Sequence, residues 1–264
     1  MRQLLEIAED ARRAKYTVAK LGTNDKNRAL LAIADALEAR ADEIIAANAV
    51  DIENGRAAGL NDGLIDRLML DKKRIAGIAE GCRQVAALPD PVGEVLWMRR
   101  RPNGLNIGQK RVPMGVIGII YEARPNVTVD AAALCFKAGS ACILRGGKEA
   151  FRSSMCLTKI MREALASCGL PENAINLVED TSRETATQMM KLNGYLDVLI
   201  PRGGAGLINS VVQNSTVPVI QTGVGNCHVF VDESADLEKA ARIVINAKTQ
   251  RPGVCNACES LVIH

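Results

Sequence analysis

The chain has 264 residues, 48% of them apolar and 24% charged, a composition that supports a substantial core and excludes a disordered chain, a collagenous one, or a small domain needing disulfide or metal staples. Its net charge is only +3, with both signs scattered and 3% aromatic residues, so it has neither the basic stripe nor the stacking surface of a nucleic-acid binder. No apolar run is long enough to span a bilayer, and MRQLLEIAEDARRAKY lacks the apolar stretch of a secretory leader, so no membrane association is expected and a cytoplasmic location is the default.

Residues 1–90 read as helices. LLEIAEDARRAKYTVAKL, NRALLAIADALEARADEIIAANAVDIENGRAAG and RIAGIAEGCRQVAAL each repeat apolar residues at spacings of three and four, punctuated by Gly22, Gly59 and Pro89. GEVLWMRRRPNGLNIGQKRVP then gives two extended runs around Pro102-Asn103-Gly104, the chemistry of an antiparallel hairpin over 94–113. The triplet Arg99, Arg100 and Arg101 reads there as a solvated strand or interface edge. From Pro113 onward a βαβ rhythm begins. MGVIGIIY, SACILRGG, NAINLVE, YLDVLIPRGG and VPVIQTG read as strands separated by helices, which predicts a doubly wound α/β domain with a parallel sheet covered on both faces. After residue 225 come a strand (NCHVFVDES), a helix (ADLEKAARIVINAKTQ) and RPGVCNACESLVIH, which stops in the middle of a strand. Residues 1–225 are therefore expected to form one domain, and 226–264 the beginning of a second, incomplete α/β domain.

Open α/β sheets bind ligands beyond the carboxyl ends of their strands, which directs attention to YEARPN, RGGKEA, VED and PRGGAG. RGGK is not a P-loop, because Cys142 stands where the first glycine belongs and Glu149 follows Lys148. PRGGAGLIN misses the dinucleotide pattern at Asn209, and the segment from Gly223 through Gly225 misses it at His228. Glycines before a helix can still leave backbone N–H groups to a phosphate; a tight strand-to-helix turn explains them equally well.

The eight cysteines are irregularly spaced, and several sit inside apolar runs such as ALCF and ACIL, where they act as small hydrophobes rather than as a disulfide framework. Cys255-Asn256-Ala257-Cys258 lacks the further ligands of a zinc site, since no second such pair occurs and the histidines are His228 and His264. Its position late in the chain also disfavours a thioredoxin-like pair. One nucleophilic thiolate on a loop, with Cys258 as a buried neighbour, is the remaining functional option, and no metal site is expected.

MGVIGIIYEARPNVTVDAAALCFKAGSACILRGGKEAFRS, VPVIQTGVGNCHVFVDESADLEKA and KTQRPGVCNACESLVIH resemble the gamma-glutamyl phosphate reductase (glutamate-5-semialdehyde dehydrogenase) family, a phosphorylating branch of the aldehyde dehydrogenase superfamily. The resemblance runs from the N-terminal helices to residue 264 and implies a chain truncated after the catalytic-cysteine motif. It implies NADPH-dependent reduction of gamma-glutamyl phosphate to glutamate 5-semialdehyde and phosphate, in proline biosynthesis. Cys255 would be the nucleophile that carries a thioester, and the Asn126 side chain with the Cys255 backbone N–H would form the oxyanion hole. A helix N-cap is the alternative role for Asn126. Arg145 and Lys148 would approach the ribose and the 2′-phosphate of NADP(H), and Gly203 and Gly204 would form the turn beside the pyrophosphate. Gln221 stands where hydrolytic relatives carry a glutamate, and an amide cannot serve as their water-activating base. Arg124 and Arg251 are candidate clamps for the anionic substrate, with loop-ordering ion pairs as the alternative. The hairpin resembles the superfamily's interface element, so a homo-oligomer is expected. Competing readings are a CoA-acylating or hydrolytic aldehyde dehydrogenase, and an inactive nucleotide-binding fragment.

Overall fold

The protein is described here by a computed structural model covering residues 2–221, 223, 225–252 and 254–264. It divides into two compact units, Met1–Gln221 and Thr222–His264. Thr222 of the expected strand VPVIQTG, Val224 of the glycine-rich segment and Gly253 of the Pro-Gly loop lie outside the described residues.

In the first unit the apolar runs after Pro113 become a parallel sheet in the order β5-β4-β3-β6, formed by β3 (Val116–Tyr121), β4 (Ala141–Arg145), β5 (Ile175–Leu177) and β6 (Val198–Arg202). Every residue of β3 is buried, as a strand covered on both faces requires. Its alternation splits the core in two. Ile117, Ile119 and Tyr121 join one cluster with Phe136, Leu157 and Ile160, whereas Val116 and Ile120 join the other with Ile7, Met189 and Val211. The connecting helices are α6 (Pro125–Lys137), α7 (Phe151–Ser167), α8 (Arg183–Met189) and α9 (Ala205–Asn214); α6 and α7 supply the first cluster, and α8 and α9 the second. The doubly wound architecture is as expected. The order reverses beside β3, the place where such sheets open a crevice at their carboxyl ends.

Among the described residues of this sheet four strands form where five are expected. VPVIQTG contributes only a bridge between Leu199 and Val219, in which Leu199 N–H donates to Pro218 O (2.8 Å) and Ile220 N–H donates to Leu199 O (3.0 Å). Pro218 has no N–H to extend a ladder, which confines the segment to an edge contact.

The N-terminal helices are α1 (Leu4–Val18), α2 (Thr23–Ala39), α3 (Ala41–Ala57), α4 (Asp62–Leu68) and α5 (Lys72–Ala87). In α1 the buried Ile7, Ala8, Ala11, Ala14 and Val18 follow the three-and-four spacing; Ile7, Ala8 and Ala11 join the second cluster and Val18 the first. The sequence predicts one helix over 27–59, but the chain breaks at Arg40 (φ −108°, ψ 24°). Its guanidinium binds Glu43 (2.8 and 2.9 Å) and Glu163, and both α2 and α3 pack on α7. The hairpin pairs β1 (Val95–Arg100) with β2 (Asn106–Lys110) antiparallel. Its turn closes through Gly104 at φ +89°, a conformation that favours glycine, and all residues of both strands are exposed.

In the second unit β7 (Cys227–Val231) pairs parallel with β8 (Cys258–Ile263), joined through α10 (Leu237–Thr249). Asp236 caps α10 by accepting from Lys239 N–H at 3.0 Å.

Candidate active site

The carboxyl ends of the sheet in the first unit surround a cavity of about 750 Å³ lined by Glu122, Arg145, Lys148, Thr181, Arg183 and Leu207, among others. Arg145 ends β4 and leans across the sheet, its Nη2 donating to Thr181 O and Ser182 O. Its Nε is buried without a hydrogen-bond partner. Burial pushes the guanidinium's pKa down, with the nearby Glu149 and Asp180 opposing that shift, and an arginine so placed remains a cation. Asp180 accepts from Ser182 N–H at 2.8 Å, from Ser182 Oγ at 3.0 Å and from the Thr185 hydroxyl. Those bonds hold its carboxyl below the usual range, Thr185 contributing most, and they fix the start of α8 beneath Arg145.

Gly146 makes the sharp exit from β4 possible: a Cβ there would lie 3.2 Å from the Tyr121 ring. Tyr121, only 1% exposed, is locked by its hydroxyl against Thr128 Oγ1 (2.7 Å), which in turn donates to Ser154 Oγ at 3.1 Å. The tight-turn reading thus accounts for this glycine. Lys148 follows in a short 3₁₀ turn (Lys148–Ala150), exposed on the cavity wall. Gly203 and Gly204 lead into α9, but the Gly204 N–H, expected to be left for a phosphate, donates to Glu122 Oε2 at 3.1 Å. A Cβ at Gly203 would meet Glu122 Cδ at 2.7 Å, so glycine there makes room for the carboxylate. Glu122, Thr181 and Arg183 line the cavity and were missed by sequence reasoning; for Glu122 the available signal was an acid directly after a fully buried strand.

Arg124 ends the turn from β3 into α6, and Asn126 lies in the first turn of that helix. Arg124 is the N-cap residue and Pro125 the first helical residue, a position proline favours. Asn126 is therefore inside the helix, which rules out the N-cap role considered for it; its Nδ2 donates to Asp130 Oδ2 at 3.0 Å. Arg124 N–H donates to Glu122 O at 2.7 Å, which ties this turn to the cavity rim.

In the second unit Cys255 lies exposed in the loop between α10 and β8. Its carbonyl accepts from Cys227 Sγ at 3.7 Å and approaches Gly225 so closely that a Cβ there would be 3.0 Å away. Val254 N–H donates to Arg251 O at 3.4 Å and Ala257 N–H to Val254 O at 3.2 Å, which folds the loop back on itself. Arg251 is exposed. Cys258 is buried at the start of β8. Among the described residues no cluster of His, Cys, Asp or Glu could hold a metal ion. Cys82 and Cys142 are buried in the first core. Burial pushes the Cys82 thiol up to about 12, and a hydrogen bond with Cys135 together with burial raises that of Cys142. Neither is a nucleophile.

The cavity fits the phosphate-bearing part of a nicotinamide dinucleotide: Arg145, Lys148 and Arg183 line it together with Glu122 and Glu149, and the orphan Arg145 Nε is a buried donor that a ligand oxygen would satisfy.

The chain is 62% identical over 264 residues to a gamma-glutamyl phosphate reductase of Carboxydothermus hydrogenoformans, covering 100% of this chain and 64% of that protein. It is 64% identical over 261 residues to one of Clostridium novyi, covering 99% of this chain and 63% of that protein. The crystal structure of gamma-glutamyl phosphate reductase from Thermotoga maritima superposes with a TM-score of 0.93 at 48% identity, covering 100% of this chain and 64% of that one. The chain thus spans less than two thirds of the length of these relatives. The aldehyde dehydrogenase family model matches residues 2–264, and the chain belongs to that family.

Proposed function

We propose that the chain carries the cofactor-binding part, and the beginning of the catalytic part, of an NADPH-dependent gamma-glutamyl phosphate reductase acting in proline biosynthesis. The observation that carries this reading is the 62% identity over 264 residues to a protein of that name. The exposed thiol of Cys255 attacks the acyl carbon of gamma-glutamyl phosphate; the bond to the phosphate oxygen breaks, phosphate leaves, and a thioester remains on sulfur. The Asn126 side-chain amide and the Cys255 N–H receive the charge that develops on the carbonyl oxygen. Asn126 has one N–H on Asp130 and a second for that purpose. When bound, NADPH supplies the hydride that takes the thioester to a thiohemiacetal, and collapse of the latter returns the thiol and releases glutamate 5-semialdehyde. Arg145 and Lys148 bind the dinucleotide, a pair of cations favouring the 2′-phosphate of NADP(H); Gly203 and Gly204, which pack against the cavity residue Glu122, form the turn beside the pyrophosphate. Arg124 and Arg251 hold the substrate's anionic groups. We place the enzyme in the cytoplasm, where its thiols stay reduced.

Phosphate-dependent reduction of NADP⁺ with glutamate 5-semialdehyde tests the reading, comparing the chain with Cys255→Ser. Turnover that needs phosphate and is lost in the variant is the expected result. Turnover that needs CoA, or only water, would replace it with another aldehyde dehydrogenase activity. NADPH binding without turnover in either form would make this chain the nucleotide-binding portion alone.

A further inference from the structure

Glu122 holds a place that a bound dinucleotide needs. It follows the last residue of β3, lines the 750 Å³ cavity and accepts the N–H of Gly204, the cap residue of α9, at 3.1 Å. Gly203 fits against the same carboxylate, since any side chain there would overlap it. A helix N-terminus favours a negative charge, and here a carboxylate of the protein supplies it. Arg145 and Lys148 line the same cavity, so an incoming dinucleotide meets both those cations and this anion.

We propose that Glu122 is an internal competitor for the dinucleotide's pyrophosphate: its carboxylate occupies the first turn of α9 and yields the Gly204 N–H when a phosphate arrives. The proposal rests on the cofactor reading of the cavity. It makes Glu122 a residue that weakens binding of the pyrophosphate while leaving the 2′-phosphate, assigned to Arg145 and Lys148, unaffected. Such a competitor sets how readily the dinucleotide leaves after turnover.

Equilibrium binding of NADPH, ADP, 2′-AMP and adenosine to the chain and to Glu122→Gln tests it. The amide keeps an acceptor for Gly204 and removes the charge. NADPH and ADP should bind about five-fold more tightly to the variant at low salt, the gain shrinking as salt screens it, while 2′-AMP and adenosine bind as before. Equal or weaker binding of ADP, or an equal gain for 2′-AMP, would overturn the proposal. If neither form binds NADPH or ADP, the cofactor reading falls. Inorganic pyrophosphate, followed through the Gly204 amide resonance, then decides the competition alone: a response at lower concentration in the variant supports it, and equal responses overturn it. Glu122→Ala, lacking any acceptor, should show the same gain with a less protected Gly204 amide.

Discussion

At the scale of single residues, burial separates a reactive thiol from inert ones. Cys255 is exposed, whereas Cys82, Cys135, Cys142 and Cys258 are buried. Limited iodoacetamide followed by peptide mass spectrometry should therefore label Cys255 well before those four; prior labelling of Cys82 or Cys142 would contradict the packing. A second residue-scale feature is the buried pair of Lys26 and Asp90, joined at 2.9 and 2.8 Å with side chains 1% and 11% exposed. Burial alone would raise the Asp90 pKa, but hydrogen bonds from Lys26, Val92 N–H and Thr23 outweigh it and hold the carboxyl below its usual range. The pair's contribution is accordingly full above the unfolded carboxylate pKa of about 3.9 and is lost as pH falls through the lower folded value. Asp90→Ala would leave a buried ammonium without its counterion, at a cost of about 3–5 kcal/mol. Urea unfolding at neutral pH checks that loss, and the gap between wild type and variant should narrow in strong acid. Lys26 shows where reading the sequence stops. In NDKNRALL it looks like a solvated helix residue, and its partner is 64 positions away.

Between elements, the start of α7 is fastened from a distant helix. Asp51 in α3 accepts from Arg152 N–H (3.1 Å), Ser153 N–H (2.8 Å) and Ser153 Oγ (2.7 Å). It acts as an N-cap supplied from another helix, using N–H groups that α7 itself cannot satisfy. Asn48, one turn earlier in α3, donates to Leu68 O (2.8 Å) and Ser153 Oγ (3.0 Å) and accepts from Leu70 N–H (2.8 Å). Asp51→Ala should thus cost about 2 kcal/mol and raise hydrogen exchange at Arg152 and Ser153, next to the Lys148 turn. Unchanged exchange there would show that the cap is replaceable. Gly118 in β3 offers a packing counterpart. A Cβ would sit 2.8 to 2.9 Å from Leu196, Leu199 and Met189 side-chain atoms, and Gly118→Ala should destabilise by about 1–3 kcal/mol through overpacking. The elements themselves were largely legible, because periods of two and three to four are local properties of the chain. The break at Arg40 was not, since it follows from contacts with α7. The Glu122 contact with Gly204 was also hidden, because it depends on β3 and β6 lying side by side.

At the scale of the whole molecule, the hairpin has surface to spare. Leu96, Trp97, Met98 and Ile107 are 45%, 43%, 64% and 45% exposed on a ribbon with no buried face. A two-stranded ribbon is marginal alone in water, and its outer edges invite pairing with another chain. Its internal bonds are modest: Trp97 Nε1 donates to Gln109 Oε1 at 2.9 Å, and the Arg99 guanidinium lies 5.6 Å from the Trp97 ring centre. These features support the hairpin as a contact between copies of this chain. Trp97 is the sole tryptophan, so its emission reports on that surface directly. Sedimentation velocity across micromolar concentrations should show self-association in the wild-type chain and its loss in a Met98→Asp, Ile107→Asp variant. Trp97 emission should shift to the red in parallel, and far-ultraviolet dichroism should stay unchanged because the helices lie elsewhere. Association that survives both acidic substitutions would place the contact on another face, and a red shift without dissociation would mean that Trp97 packs only within its own ribbon.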